Sequence, residues 1–92
     1  METKHLIQLK RKVEIKAEVY TAYADIKPDG YCCISFHNQG ETNAVILGNL
    51  TIEPGESHHF NFEADEYVTT NIPLIFDGEG KNKLTVIKTY KS

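Results

Sequence analysis

The stretch Thr51-Ile52-Glu53-Pro54-Gly55-Glu56-Ser57 lies between two runs of strand-like composition, residues 44–52 and residues 57–62. Pro54 pre-sets φ for the first central position of a turn, and Gly55 accepts the positive φ of the second. Because both flanking runs are rich in β-branched, aliphatic or aromatic residues, their meeting at a Pro-Gly corner predicts antiparallel β-structure.

Similar short runs recur along the chain at roughly ten-residue spacing, with turn signals between them. Residues 31–37, 74–76 and 84–90 are further strand candidates. Because Pro73 lies within residues 71–76, the strand in that segment is expected to begin late or to lie at a sheet edge. The Gly-rich residues 77–82 predict a hairpin between the last two runs. The whole pattern predicts an all-β fold, a small antiparallel β-sandwich or jelly-roll-like barrel of about seven or eight short strands.

Residues 10–23 fit two periods. Apolar residues fit a helical spacing tolerably, but the period of a strand is strict: Val13, Ile15, Ala17 and Val19 alternate with Lys12, Glu14, Lys16 and Glu18. In a helix the charged residues would form like-charged i,i+4 pairs, each destabilising by a few tenths of a kcal/mol. We therefore predict a strand whose charges form one solvent-facing row of alternating sign, which also protects a possible sheet edge.

The 92-residue length indicates a single domain with a modest core. We assign residues 10–92 to this domain and residues 1–9 to an N-terminal arm or lead-in. The apolar residues of that segment fit a mobile arm, a first helical turn or the start of a strand, and the sequence does not decide between these.

Composition narrows the classes of partner. The formal net charge of −3 and the pI near 5.7 do not favour nucleic acid or an anionic membrane, both of which select basic surfaces. No apolar run approaches a membrane span, and residues 1–5 do not resemble a signal peptide, so export is not indicated. Cys32 and Cys33 are adjacent, which predicts two reduced thiols, at least one of them in the core, and a reducing compartment.

No set of residues predicts catalysis, a cofactor or a metal. The histidines (His5, His37, His58 and His59) lack the convergent spacing of a zinc site. The acidic residues near 63–66 and 77–79 lack the spacing of a calcium loop, and Cys33 has no base within reach of its thiol. The chain contains neither a nucleophile elbow nor a phosphate-binding loop. We therefore expect a non-enzymatic protein.

One segment resembles a known class of protein. It runs Ile34-Ser35-Phe36-His37-Asn38-Gln39-Gly40-Glu41-Thr42-Asn43-Ala44-Val45-Ile46-Leu47-Gly48-Asn49-Leu50-Thr51-Ile52-Glu53-Pro54-Gly55-Glu56-Ser57. It resembles small virion proteins of tailed bacteriophages, in which a strand ending in x-N-x-G is followed by a second strand, then by L-x-P-G-E-S and an aromatic strand. Asn38, Gly40 and residues 54–57 match, with Phe60 and Phe62 as the aromatics. Gly48-Asn49 departs from the Asn-Gly order expected for that hairpin.

The resemblance implies a structural role in a virion that is assembled in the host cytoplasm. A capsid decoration or auxiliary protein is the first expectation, and a tail or neck component is the second. The implied partners are major capsid or tail proteins and further copies of this chain. We expect the interface residues to be Leu6, Ile7, Leu9, Tyr20 and Tyr23. The alternative is a carbohydrate- or protein-binding β-sandwich module, which would use exposed tyrosines.

Overall fold

The computed structural model describes residues 12–63, 66 and 68–91. These residues form eight strands and no helix, which confirms the predicted all-β class. No helix that could span a membrane occurs in this part of the chain. The strands are β1 (Val13–Tyr20), β2 (Ala24–Ile26), β3 (Cys33–Asn38), β4 (Asn43–Ile46), β5 (Leu50–Ile52), β6 (Ser57–Asn61), β7 (Ile72–Asp77) and β8 (Leu84–Lys91).

The strands form two four-stranded antiparallel sheets, in the orders β1-β8-β3-β6 and β2-β7-β4-β5. Four of the pairs are nested: β1 with β8, β2 with β7, β3 with β6 and β4 with β5. The chain thus folds like one long hairpin that is rolled into two sheets, which is the strand order of a jelly roll. Only the β4–β5 connection stays within one sheet.

The hairpin predicted between residues 74–76 and 84–90 is wrong. β7 pairs with β2 and β4, whereas β8 lies in the other sheet between β1 and β3. Both edges of β8 are therefore occupied, and the turn-rich connection crosses between the sheets. This connection bonds to the β3–β4 loop, because the Gln39 and Glu41 N–H groups donate to the carbonyls of Lys83 and Lys81 at 3.0 and 2.7 Å.

β7 also begins earlier than predicted and occupies an interior position. It includes Pro73, which pairs with Asp25 of β2. The Pro73 carbonyl accepts a hydrogen bond from the Leu47 N–H at 3.1 Å, just beyond the end of β4. Since the N–H and C=O of a strand residue point to the same side, the missing Pro73 N–H also points towards this turn. An interior strand tolerates proline here because the ladder with β4 has already ended.

The core lies between the sheets. The first sheet contributes alternate residues of β3 and β8, and the second contributes the matching residues of β4, β5 and β7. Phe36 is fully buried and meets the Phe60 ring edge-on, with centroids 6.1 Å apart. The other buried apolar residues are Ile26, Tyr31, Ile34, Ala44, Ile46, Ile52, Ile72, Leu74, Leu84 and Val86.

The strand predicted over residues 10–23 is confirmed as β1, but the direction of its faces is not the one expected. Ala17 pairs with Ile87 and Glu18 with Val86, and Val86 points into the core. The charged row of β1 therefore shares the inner face of the sheet, and the apolar row faces outward. Lys12, Glu14 and Lys16 are nevertheless exposed, whereas Glu18 is half-buried.

The Pro54-Gly55 corner joins two strands of different sheets, so it is a crossover and not a hairpin. The Glu56 N–H closes a turn on the carbonyl of Glu53 at 2.9 Å, and Gly55 has a φ of 87°. This sheet crossing places the corner against the end of β3, where Asn38 is buried.

Candidate functional site

The edge strand β1 carries an exposed apolar row. Val13, Ile15 and Val19 are 54%, 69% and 56% exposed, and Ala17 between them is exposed as well. Large apolar side chains that lie together on a surface usually mark an interaction site, whereas single ones do not. This row, Val13, Ile15, Ala17 and Val19, is called the outer row below.

The outer face of the first sheet changes character across its width. Next to β1, the face continues through Thr85, Ile87 and Thr89 of β8, which pair with the outer row. The far half is mostly polar: beside Cys33 it carries Ser35, His37, Ser57, His59 and Asn61 on β3 and β6. The apolar half therefore lies at the β1 edge.

The β1 edge itself has no neighbouring strand among residues 12–63, 66 and 68–91. In an antiparallel edge strand, alternate residues point their N–H and C=O groups away from the paired neighbour. The same strand thus offers unpaired backbone groups, an apolar outer row and, on the other face, a row of alternating charge. This charged row, Lys12, Glu14, Lys16 and Glu18, is called the inner row below.

A buried lysine lies beside the inner row. The Lys88 side chain is 4% exposed, and its Nζ is 3.3 Å from Glu18 Oε1 and 3.3 Å from Asp29 Oδ2. The Tyr20 hydroxyl donates to the same Glu18 oxygen at 2.7 Å, and the Tyr90 hydroxyl donates to Asp29 at 3.0 Å. A buried ammonium is stable only when it is paired, and these two carboxylates pair it.

The tyrosines around this cluster resist ionisation. Burial, the hydrogen bond to Glu18 and nearby negative charge raise the pKa of Tyr20 well above its usual range. Burial and the hydrogen bond to Asp29 raise the pKa of Tyr90 to about 12. Burial, with the charge of Asp29, also raises the pKa of Tyr31. Phenols with raised pKa values remain protonated near neutral pH, so none of the three is an activated acid or nucleophile.

The histidines and cysteines do not form a site in the described residues. His37 bridges two serines, with Nδ1 2.9 Å from Ser57 Oγ and Nε2 3.2 Å from Ser35 Oγ. The Cys32 and Cys33 sulfurs are 3.8 Å apart and unbonded, as predicted. Both residues are half-buried, so the expectation that one lies in the core is wrong, because Cys32 precedes β3 and Cys33 points to its outer face.

No group of three or more His, Cys, Asp or Glu side chains in residues 12–63, 66 and 68–91 could hold a metal ion. His5 and Asp65 lie outside those residues. Burial is the main cause that raises the pKa of the Cys33 thiol, which disfavours a thiolate nucleophile at neutral pH.

A cavity of about 260 Å³ opens between the sheets beside β6. Its walls are almost entirely apolar: Tyr31, Ile34, Leu47, Phe60, Phe62, Val68, Thr70 and Ile72. None of these residues is charged, so the cavity can accommodate an apolar group.

The predicted interface residues have different fates. Leu6, Ile7 and Leu9 lie outside the described residues. Tyr23 is 71% exposed, whereas Tyr20 is half-buried, packs against the core and donates to Glu18. An interface through these five residues remains a prediction.

Neither the outer row nor the Lys88 cluster was predicted from the sequence. Alternation in residues 13–19 reveals which side chains share a face, but not which face is inner. A usable signal lay in β8, where Lys88 has the same parity as Leu84 and Val86. A lysine on the core-facing parity of one strand requires a carboxylate from a neighbour, and Glu18 of β1 supplies one.

Comparison with known proteins adds no assignment, since no protein-family model matches the chain and no curated protein has significant sequence similarity to it.

Proposed function

We propose that this chain is a non-enzymatic structural protein of a tailed-bacteriophage virion. A capsid decoration or head-stabilising protein is the first form of the proposal, and a tail or neck component is the second. The observation that carries the structural role is the outer row: among the described residues, three of the six large exposed apolar side chains lie on one edge strand, β1. An exposed apolar surface of this kind is typical of a protein whose role is to bind another protein.

The residues that match the virion-protein pattern make structural hydrogen bonds in this fold. The Gly55 N–H donates to the Asn38 carbonyl at 2.8 Å, and the Asn38 side chain accepts from the Gly40 N–H at 3.0 Å. These hydrogen bonds hold the crossover between the two sheets in place, which explains the residues without a catalytic role. Jelly rolls also occur in viral capsid domains, although the same fold serves lectins and other functions. The virion assignment thus rests on the resemblance, and the fold is compatible with it.

Mass spectrometry of density-gradient-purified particles tests the proposal. The particles should come from the phage whose genome carries this gene, and a major capsid or portal gene is expected nearby. We expect the protein in the particles at a fixed ratio to the major capsid or tail protein, retained through a high-salt wash. Its absence from particles, with recovery in the soluble lysate alone, would overturn the virion role.

A further inference from the structure

The β1 edge has the features of a self-complementary interface. Its backbone edge is unpaired among the described residues, its outer row is apolar, and its inner row alternates in charge. We propose that β1 pairs antiparallel with β1 of a second copy, about a two-fold axis at Ile15, and so joins two four-stranded sheets into one.

The charges of the inner row favour this register. With Ile15 opposite Ile15 of the second copy, Lys12 faces Glu18 and Glu14 faces Lys16, and the two-fold axis repeats both pairs. Opposite charges across an antiparallel pair are stabilising, and like charges directly opposite are destabilising. Every charge of the inner row thus finds an opposite partner in this arrangement.

Neighbouring registers are disfavoured. Centring the axis on Lys16 puts Lys16 opposite itself and Glu14 opposite Glu18, and centring it on Glu14 likewise faces like charges. A slip by a single residue would bring the charged row of one copy onto the apolar face of the other. Centring on Ala17 keeps only the Lys16–Glu18 pairs and leaves Glu14 opposite Tyr20. Parallel, in-register pairing places each charge opposite itself.

Glu18 is already oriented for such a contact. Its Oε1 accepts from Tyr20 and lies 3.3 Å from Lys88 Nζ, while its Oε2 makes no hydrogen bond within the described residues. The side chain is 38% exposed. Tyr20 and Lys88 hold Oε1 and so fix the orientation of the Glu18 carboxylate, while Oε2 is available to Lys12 of the second copy. Glu18 would then connect the buried cluster to the dimer interface.

Three of the four residues of the outer row also face one another in this register. Ile15 meets Ile15 at the axis, and Val13 lies opposite Ala17 on either side of it. The other open edge of this sheet, β6, carries His58 and Phe60 on its inner face, so it offers no row of alternating charge to the inner row. Isologous β1–β1 pairing uses the edge once and closes the assembly as a dimer, whereas a heterologous β1–β6 contact would form a ring or an open filament.

This inference names a partner for the assembly role proposed above and rests on that role, but not on any location in a virion. A dimer of the isolated chain that is missing from particles would overturn the virion proposal and leave the dimer intact. Conversely, a particle-bound protein that stays monomeric in isolation would overturn the dimer alone.

A charge-swap experiment on the full chain tests the dimer and its register. Glu14→Lys and Lys16→Glu are each made at an exposed position, and the mass in solution is measured by sedimentation velocity at low ionic strength. Each variant alone places two like-charged pairs at the centre of its own homodimer. Because both central Glu14–Lys16 pairs become like-charged, we expect each homodimer to be weakened about tenfold or more.

Mixing the two variants restores every opposite pair, so we expect a heterodimer at wild-type strength, identified by native mass spectrometry. The Ile15→Arg variant should abolish the dimer by facing two cations across the axis. Ile75→Arg is the matched control, since Ile75 is exposed on β7 of the other sheet, and it should leave the dimer unchanged. Thermal unfolding of each variant verifies its fold.

Three results would overturn the inference. The first is a wild-type chain that sediments as a monomer at the highest concentration reached. The second is a dimer that survives Ile15→Arg, because its interface would then lie elsewhere. The third is a mixture of the two charge variants that remains monomeric while both are folded, because the register would then be wrong.

Discussion

Asn38 accepts a hydrogen bond from the Gly55 N–H through its backbone carbonyl at 2.8 Å, which fastens the Pro54-Gly55 corner to the end of β3. The Asn38 side chain extends the link: its amide donates to the carbonyls of Thr42 and Ile52 at 2.8 and 2.7 Å. A single buried side chain thus joins the β3–β4 loop to the last residue of β5, where the chain leaves one sheet for the other.

Replacement of Asn38 should destabilise the protein strongly. Asn38→Ala removes the amide donor to the buried carbonyls of Thr42 and Ile52 and the acceptor of the Gly40 N–H, and we expect a loss of about 2–4 kcal/mol in the free energy of unfolding. Asn38→Asp keeps the shape of the side chain but directs a carboxylate towards the two carbonyls. Its loss in the free energy of unfolding should become smaller on acidification, because the protonated acid can donate a hydrogen bond. Urea unfolding at two pH values measures both effects.

Asn61→Ala is the matched control for the Asn38 variants. Asn61 is exposed at the end of β6 and makes no side-chain hydrogen bond within the described residues, so its change should stay within about 0.5 kcal/mol. An Asn38→Ala variant as stable as this control would mean that the hydrogen bonds seen at Asn38 contribute nothing net.

Much of the fold was predictable from local pattern. The turn chemistry at Pro54-Gly55 and the strict alternation in residues 13–19 identify strands and turns, because both signals depend only on neighbours in sequence. The all-β class and the strand number follow from these signals. The direction of a face and the partner of a strand do not, because they depend on contacts between residues such as Glu18 and Lys88, which are far apart in the chain.

The same distinction explains the wrong hairpin. A Gly-rich connection such as residues 77–82 can return within one sheet or cross to the other with the same local residues. The pairing of β1 with β8 decides that the connection crosses to the other sheet. These two strands are far apart in the sequence, so no local turn motif indicates that they pair. The candidate site at the β1 edge is a consequence of that long-range pairing, and for this reason the sequence analysis assigned its apolar row to the wrong face.

Leu47 is strained in the β4–β5 turn. Leu47 and Gly48 have φ values of 56° and 79°, and the Asn49 N–H donates to the Ile46 carbonyl at 3.3 Å, as in a turn with two positive-φ central residues. The turn thus begins one residue before the Gly48-Asn49 pair singled out in the sequence. A leucine in this conformation costs about 1–2 kcal/mol, whereas asparagine tolerates it.

Leu47→Asn should therefore stabilise the protein by about 0.5–1 kcal/mol, measured by urea unfolding. Gly48→Ala is the opposing control: its added Cβ would meet no atom within 4 Å, yet its φ of 79° disfavours alanine, so we expect a loss of about 1 kcal/mol. A Leu47→Asn variant less stable than wild type would show that the contact of Leu47 with the apolar cavity outweighs the backbone strain.

The Lys88 cluster predicts an asymmetric response to mutation. Glu18→Gln combined with Asp29→Asn leaves the buried ammonium without a counter-charge, while the amide oxygens still accept from Tyr20 and Tyr90. We expect a loss of about 2–3 kcal/mol, since both carboxylates are partly solvated. Lys88→Met removes the buried charge itself and should be nearly neutral or stabilising.

Chemical denaturation of the Lys88 variants, each compared with wild type at neutral pH, provides the measurement. The expected order of stability places Lys88→Met well above the double variant. The reverse order would mean that the ammonium contributes more through its pairing than its burial costs, and that the cluster is a net source of stability.

Alkaline pH should weaken the fold through its tyrosines. Burial and the hydrogen bond to Asp29 raise the pKa of Tyr90 to about 12, above the ordinary phenol value near 10. The unfolded chain therefore releases this proton at lower pH than the folded chain does. The stabilisation is complete below about pH 10 and is lost progressively as the pH rises towards about 12. Tyr20, whose pKa is also raised by burial and its bond to Glu18, acts in the same direction.

Tyr90→Phe tests this linkage. The variant should be less stable than wild type at neutral pH, because a hydrogen bond to a carboxylate is lost, but its stability should fall less steeply between about pH 10 and 12. The pKa of Cys33 is also raised, chiefly by burial, and its contribution to stability begins to fall at a lower pH than that of Tyr90. Because this happens in both proteins, the difference between the two stability curves isolates Tyr90. Urea midpoints across this range give the curves, and parallel curves would exclude a Tyr90 proton from the alkaline transition.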